Sequence, residues 1–461
     1  MQKLLEIPIT IVHTENGFTQ IAPTTGPGKL PAARNLDLEQ SDIEQLAVYL
    51  ENWMGKTNPT ARERLEKELK DVGLKAIKPL SGEELNTILD LSEAQITWRR
   101  ILVYTDAESS KIPVEAMFTK ENYPLGGGET GFVATHHSTY VSIVRHLGLE
   151  AENTMLIKAN EPLQMLVVFS NLQDSGLSLG EIQVNEDDCL NFQGQLEAEK
   201  QALDKTLETL VRLRLLEINF LVGDESKSTV YGGKVWFDQT KNQSCWEITS
   251  KPEVEGKAVS LGKRFLDYLE QKTWHILHYF GHGNAIGDAP QLVLRPGENL
   301  SSDTIDRQVE SSNNQRAKPM PRIVILHACD TASPADSKVP VLTGFATMFL
   351  LKGTVNLVCM QMKITPETAI MTTQALYNRL SQTLFTNQMD FEEALYEVRK
   401  RAHDLDRLDF FCPVLYARPV NGPIFDYQDN RLDVWKRIQV KELSLNPKTL
   451  LKVAWWSSRL L

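Results

Sequence analysis

Two residues in this chain have the types and the placing for nucleophilic chemistry. His282 ends the apolar run Trp274-His275-Ile276-Leu277-His278-Tyr279-Phe280-Gly281-His282-Gly283, and Cys329 ends Arg322-Ile323-Val324-Ile325-Leu326-His327-Ala328-Cys329. A cysteine is only partly thiolate near neutral pH, so peptide cleavage needs a base beside it or a positive environment that lowers its pKa. Histidine is the side chain best matched to that task. In such a pair Cys329 attacks the scissile carbonyl, and His282 protonates the leaving amine and then activates water. The developing oxyanion needs fixed N–H donors. Glycine at 281 and 283 allows tight backbone geometry beside the imidazole. His275, His278 and His327 are rival bases, but none is followed by glycine, and they are expected to pack in the core. Taken singly, a cysteine at a strand end is more often a small buried residue than a nucleophile.

Both runs have the look of short buried strands, rich in β-branched and aromatic residues and bounded by turn signals. In an open α/β sheet, parallel strands bring their C-terminal ends to one edge, where reactive groups meet. If these two strands are neighbours, an imidazole and a thiol share one crevice. The separation from 282 to 329 is 47 positions, close to the roughly 50 between histidine and cysteine in caspases.

The chain resembles the caspase-like cysteine peptidases and, within them, the CHAT family. Besides the two runs above, Val358–Ala369, with Gln361, is similar to the family's segment after the next strand. Asp409–Tyr416 is similar to its closing strand, and Arg99–Met117 and Ser142–Arg145 also match. The resemblance implies a mostly parallel sheet flanked by helices on both faces, and a protease dyad of His282 and Cys329. It implies an oxyanion hole from the backbone N–H groups of Gly283 and Cys329. Asp330, the acid after the nucleophile, and Gln361 are the candidate substrate-binding residues; Asp330 would either favour a basic side chain by charge pairing or serve as a structural loop acid. Where the family often carries an acid, Pro366 stands here, with Glu367 adjacent. The resemblance also implies a protein substrate, an activating or inhibiting partner protein, and a role in bacterial defence or cell death. A non-catalytic scaffold and a ligand-sensing module are the alternatives.

The remaining chain supplies the frame. The alternation of strands and helices from Leu163 onward argues a mostly parallel sheet. Strands are expected at 7–12, 101–104, 163–170, 215–222 and 355–360, and helices within 37–100 and at 192–212, 258–270 and 342–352. Arg99 and Arg100 interrupt the strand pattern before Ile101. Thr365, Pro366 and Glu367 give an N-cap, a first-turn proline and a first-turn acid for the next helix. Residues 223–257 are expected to be a long polar, irregular segment, and such segments usually carry function. Residues 1–160 are expected to form an N-terminal region, 161–425 the peptidase core and 426–461 a C-terminal extension. Gly26–Lys29 and Gly55-Lys56-Thr57 lack the phosphate-loop pattern. Gly126–Gly131 is taken as a connection, and His136-His137 point to opposite faces of any strand.

With 461 residues, 42% hydrophobic and 24% charged, the composition is that of an ordinary globular protein. A formal net charge of −11 argues against direct nucleic-acid binding. There is no apolar run of membrane-spanning length and no signal-peptide core. The five cysteines show no metal-ligand or disulfide-framework spacing, so a reducing cytoplasm is expected. No metal or other cofactor is expected for the chemical step, since a thiolate mechanism needs none.

Overall fold

The computed structural model describes residues 3–14, 17–22, 32–55, 59–77, 96–105, 112–119, 131–135, 140–158, 161–171, 179–186, 188–224, 229–238, 243–250, 260–286, 289–295, 298–311, 319–329, 343–383 and 389–427. Fifteen strands join in one large sheet. In chain order they are β1 (Lys3–Thr14), β2 (Gly17–Ala22), β3 (Ala32–Asn35), β4 (Ile96–Thr105), β5 (Tyr140–His146), β6 (Leu163–Asn171), β7 (Leu216–Asp224) and β8 (Thr229–Asp238). There follow β9 (Gln243–Ser250), β10 (Ile276–Ile286), β11 (Ala289–Arg295), β12 (Glu298–Ser301), β13 (Ile323–Cys329), β14 (Asn356–Met360) and β15 (Pro413–Ala417). The spatial order is β9-β8-β7-β6-β10-β13-β14-β15-β5-β4-β1-β2-β3, with β11 and β12 branching from β10.

Two parallel blocks make the centre of this sheet. One is β7-β6-β10-β13-β14 and the other β15-β5-β4-β1; they meet antiparallel at β14 and β15. Strands from 1–160 and from 161–425 thus belong to one continuous sheet. Within the first block the chain steps outward from β6 to β7, then returns to β10 on the other side of β6. That reversal is a topological switch point, where the ends of neighbouring strands open a crevice. Both faces are covered, as a parallel sheet requires. Helices α3 (Gly194–Arg212) and α7 (Pro366–Thr383) pack over one face with Ile276, Phe280, Ile323 and Ile325. Helices α4 (Leu261–Gln271), α5 (Ser302–Ser311) and α6 (Thr343–Leu351) cover the other, against Leu277, Tyr279, Val324 and Leu326.

Local signals account for most of these elements. Thr365 accepts from the Thr368 N–H at 3.4 Å and begins α7 one residue before Pro366, and the Asp409 carboxylate accepts from the Thr365 N–H at 2.7 Å. Ile43, Leu46 and Leu50 form the buried stripe of the helix Gln40–Gly55.

Three expectations are corrected. Within 223–257, residues 229–238 and 243–250 are not irregular: β8 and β9 form an antiparallel hairpin that extends the sheet past β7. One face is apolar (Tyr231, Val235, Trp246 and Ile248 are buried together), while Lys234 and Trp236 on the other are exposed. Arg99 and Arg100 do not interrupt β4 but lie within it, 2% and 9% exposed. Arg100 is held by Glu392 and Glu6, each within 2.6 Å. Finally, Cys189 and Cys245 are joined as a disulfide, with Cα atoms 5.9 Å apart. Their 56-residue separation gave no framework pattern; an isolated bridge between Cys189 and Glu247 is what brings the two segments together. The bond closes a loop of that length, for which chain entropy gives about 4 kcal/mol as an upper figure. Reduction, or the Cys189→Ala and Cys245→Ala pair, is expected to cost about 2–4 kcal/mol, read from denaturant unfolding.

Candidate active site

Strand β10 runs parallel to β13 in continuous register, from Ile276 opposite Ile323 to His282 opposite Cys329. Adjacent strands lie about 4.8 Å apart, so the two backbones at 282 and 329 are direct neighbours at one sheet edge. The apolar stretches Ile276-Leu277 and Ile323–Leu326 fix this register, because a one-residue slip would turn every core side chain of the strand to the other face. The His282 side chain is fully buried. On its other side, β10 pairs antiparallel with β11, which sets Gly283 opposite Leu292.

Behind the edge, Tyr279 fastens the turn. Its hydroxyl lies 2.9 Å from both the His282 and the Val293 carbonyl oxygens. Ser170 Oγ, from the end of β6, adds contacts of 2.7 and 2.8 Å to the Val293 and Leu294 carbonyls. Gly281 is required by packing: a Cβ there would sit 2.6 Å from Tyr279 Oη and 2.7 Å from Ser170 Cβ.

Gln361 follows the last residue of β14, the strand next to β13. It is 5% exposed, and its amide is engaged at both ends. Oε1 accepts from Arg145 at 2.8 Å, and Nε2 donates to the Phe411 carbonyl at 2.7 Å and to Glu115 at 3.2 Å. Arg145 and Glu115 are fully buried and paired within 2.5 Å. Burial alone would lower the Arg145 pKa, but Glu115 and Tyr416 together more than offset it, and the net direction is upward. Asp330 lies outside the described residues, as do Gly126–Gly128, His136, His137 and the loop 332–339.

The rival histidines separate into two kinds. His275 Nδ1 accepts the Gln164 N–H at 2.7 Å, and burial pushes its pKa down to about 4. Burial, with the Arg100 guanidinium nearby, lowers that of His146 to about 4 as well. A histidine whose folded pKa is depressed binds fewer protons than the unfolded chain between these values and about 6.5. Its contribution is therefore whole above about pH 6.5 and lost as pH falls toward 4, each site by up to about 3 kcal/mol. Thermal midpoints measured from pH 7.5 down to 5 are expected to fall steadily, and less so in His275→Asn. His278 and His327 are not simple packing residues: both face Glu199 of α3 in the core, a grouping that sequence spacing gave no sign of.

The family model of the CHAT domain matches residues 67–458. The chain belongs to the CHAT domain family. No curated protein matches it. Among solved structures, this CHAT chain is similar to the Arg-specific cysteine proteinase gingipain R of Porphyromonas gingivalis, at 12% identity and a TM-score of 0.40, over 77% of this chain and 75% of that one. It is similar to Saccharomyces cerevisiae separase in complex with securin, at 11% identity and a TM-score of 0.44, over 91% of this chain but 30% of that one. A secreted C11 cysteine protease of Bacteroides thetaiotaomicron follows at 8% identity and 0.30, over 52% and 59%. The CHAT chain therefore spans under a third of separase. Among its described residues, no helix is long and apolar enough to cross a membrane.

Proposed function

We propose that this CHAT protein is a cysteine endopeptidase in which Cys329 is the nucleophile and His282 the general acid and base. One observation carries the reading: the parallel register that pairs residue 282 with residue 329 at the C-terminal end of the pairing between two adjacent strands, beside the switch point. The thiolate attacks the scissile carbonyl carbon, and the N–H groups of Gly283 and Cys329 receive the oxyanion. The imidazolium of His282 gives its proton to the leaving amine. His282 then takes a proton from water, which releases the acyl group from sulfur. Asp330, next to the nucleophile, is the pocket residue of this reading; Gln361, expected to line the pocket as well, is instead spent on Arg145, Glu115 and the Phe411 carbonyl. Its substrate is a protein, and a partner protein controls it within a bacterial defence or cell-death system.

The test is covalent capture. The full chain is incubated with a peptidyl acyloxymethyl ketone carrying a basic residue at the cleaved position, then digested and mapped by mass spectrometry. Adduct on Cys329 alone, lost in His282→Ala, is the expected result. Labelling that is equal on Cys359 or Cys412, or absent while a peptide library is still cleaved, would overturn the assignment.

A further inference from the structure

Below the paired strand ends, on the face covered by α3 and α7, lies a cluster that the peptidase chemistry does not use. Glu199 of α3, His278 of β10 and His327 of β13 are each fully buried, and one ligand atom from each lies within 4.8 Å of the others. Two residues of α7 hold the other ends of these side chains. The Thr373 hydroxyl donates to Glu199 Oε1 at 2.5 Å, and its oxygen lies 3.1 Å from His327 Nδ1. Because the hydroxyl proton is spent on Glu199, that oxygen accepts, and His327 carries its proton on Nδ1. Tyr377 Oη lies 2.9 Å from His278 Nδ1.

What is left over is one donor atom per residue. Glu199 Oε2, His278 Nε2 and His327 Nε2 are buried and have no hydrogen-bond partner. His278 Nε2 comes within 3.1 Å of Glu199 Oε1 but is not aligned with it as a hydrogen bond. Buried polar atoms are almost always paired, and an orphan on each of three adjacent residues asks for an ion or a water. Charge favours the ion. A buried carboxylate beside two imidazoles offers the donor types that hold a divalent cation, and neutral imidazole is the form that binds metals.

We propose that Glu199, His278 and His327 form a structural site for a divalent transition-metal ion, zinc foremost, that clamps α3 to β10 and β13. Two imidazoles and a carboxylate are a known zinc ligand set, with bonds of about 2.0–2.2 Å. Such bonds hold ligand atoms no more than roughly 4.4 Å apart, so the cluster closes on an ion with small side-chain shifts. Thr373 and Tyr377 are the outer partners that fix carboxylate and ring orientation, as ligating side chains generally require. The site stands four residues before His282 and two before Cys329 on their strands, and it does not depend on the peptidase reading.

The test uses the full, tag-free chain expressed in medium supplemented with zinc or with cobalt. Elemental analysis is expected to find about one metal ion per chain, retained through gel filtration in chelator. The cobalt form is expected to show visible d–d absorption. Glu199→Gln and His278→Gln are expected to lose the ion and to melt earlier than the wild type. Should those variants fail to fold, metal content and the cobalt spectrum of the wild type decide the matter. Metal well below one equivalent in both media, or an equivalent that both variants retain, overturns the proposal. The cluster would then be a hydrogen-bonded pair with one imidazole protonated.

Discussion

Cys329→Ala is expected to remove peptide cleavage, with kcat/KM falling about 10⁴-fold or more, and His282→Ala to fall nearly as far. The double variant is expected to be no worse than either single one, because the two residues act as a unit. The effect is large because neither group works alone. Without an imidazole beside it, the thiol returns toward its ordinary pKa near 8.5 and is a few per cent thiolate at neutral pH. The leaving amine also loses its proton donor. A further readout separates the two roles. Alkylation of Cys329 by iodoacetamide at pH 7 is expected to slow in His282→Ala, and to recover as pH is raised through the thiol's own pKa. The folds of both variants are expected to remain intact by circular dichroism, since each change shortens one side chain and leaves the strand pairing in place. Cleavage near wild-type level in either variant would end the dyad reading, and with it the role given to the β10–β13 register.

The two site strands were legible because each is buried on both faces. Ile323-Val324-Ile325-Leu326 and Ile276-Leu277 are unbroken apolar stretches, and all six residues are fully buried. The β8–β9 hairpin was not, because only one of its faces is buried and Gly232-Gly233 looks like a break. Gly233 is there for packing: a Cβ would lie 1.9 Å from the Glu247 carbonyl oxygen and 2.6 Å from Phe220 Cζ. A truncation of 225–255 would therefore remove two strands of the sheet and cost stability. Long-range polar groupings left no local trace. Glu199 meets His278 and His327 across 79 and 128 positions; the spacing from Leu196 to Leu203 puts this glutamate on the buried stripe of α3, but nothing local names its partners. The disulfide was missed for the same reason, since its halves meet only through tertiary pairing.

The same blindness hides the second large effect, which concerns Glu115. It sits in the short 3-10 turn Val114–Ala116, with zero exposure, against an equally buried Arg145 of β5. Two contacts of 3.0 and 2.5 Å join them, and Arg145 also reaches the Ile112 carbonyl at 3.0 Å and Gln361 at 2.8 Å. Removing one partner of a buried pair leaves a charge with neither water nor a counter-ion, at a cost of about 3–5 kcal/mol. Glu115→Ala is expected to lose about that much in denaturant unfolding, and Glu115→Gln less, because its amide oxygen still accepts from the guanidinium. The converse follows from the same physics. Replacing both partners together, Glu115→Leu with Arg145→Met, removes two desolvated charges at once and is expected to cost far less than Glu115→Ala alone. Gln361 then loses its Arg145 donor and keeps its bond to the Phe411 carbonyl. A double variant at least as unstable as Glu115→Ala would mean that the hydrogen-bond geometry around Ile112 and Gln361, not charge balance, holds this part of the sheet.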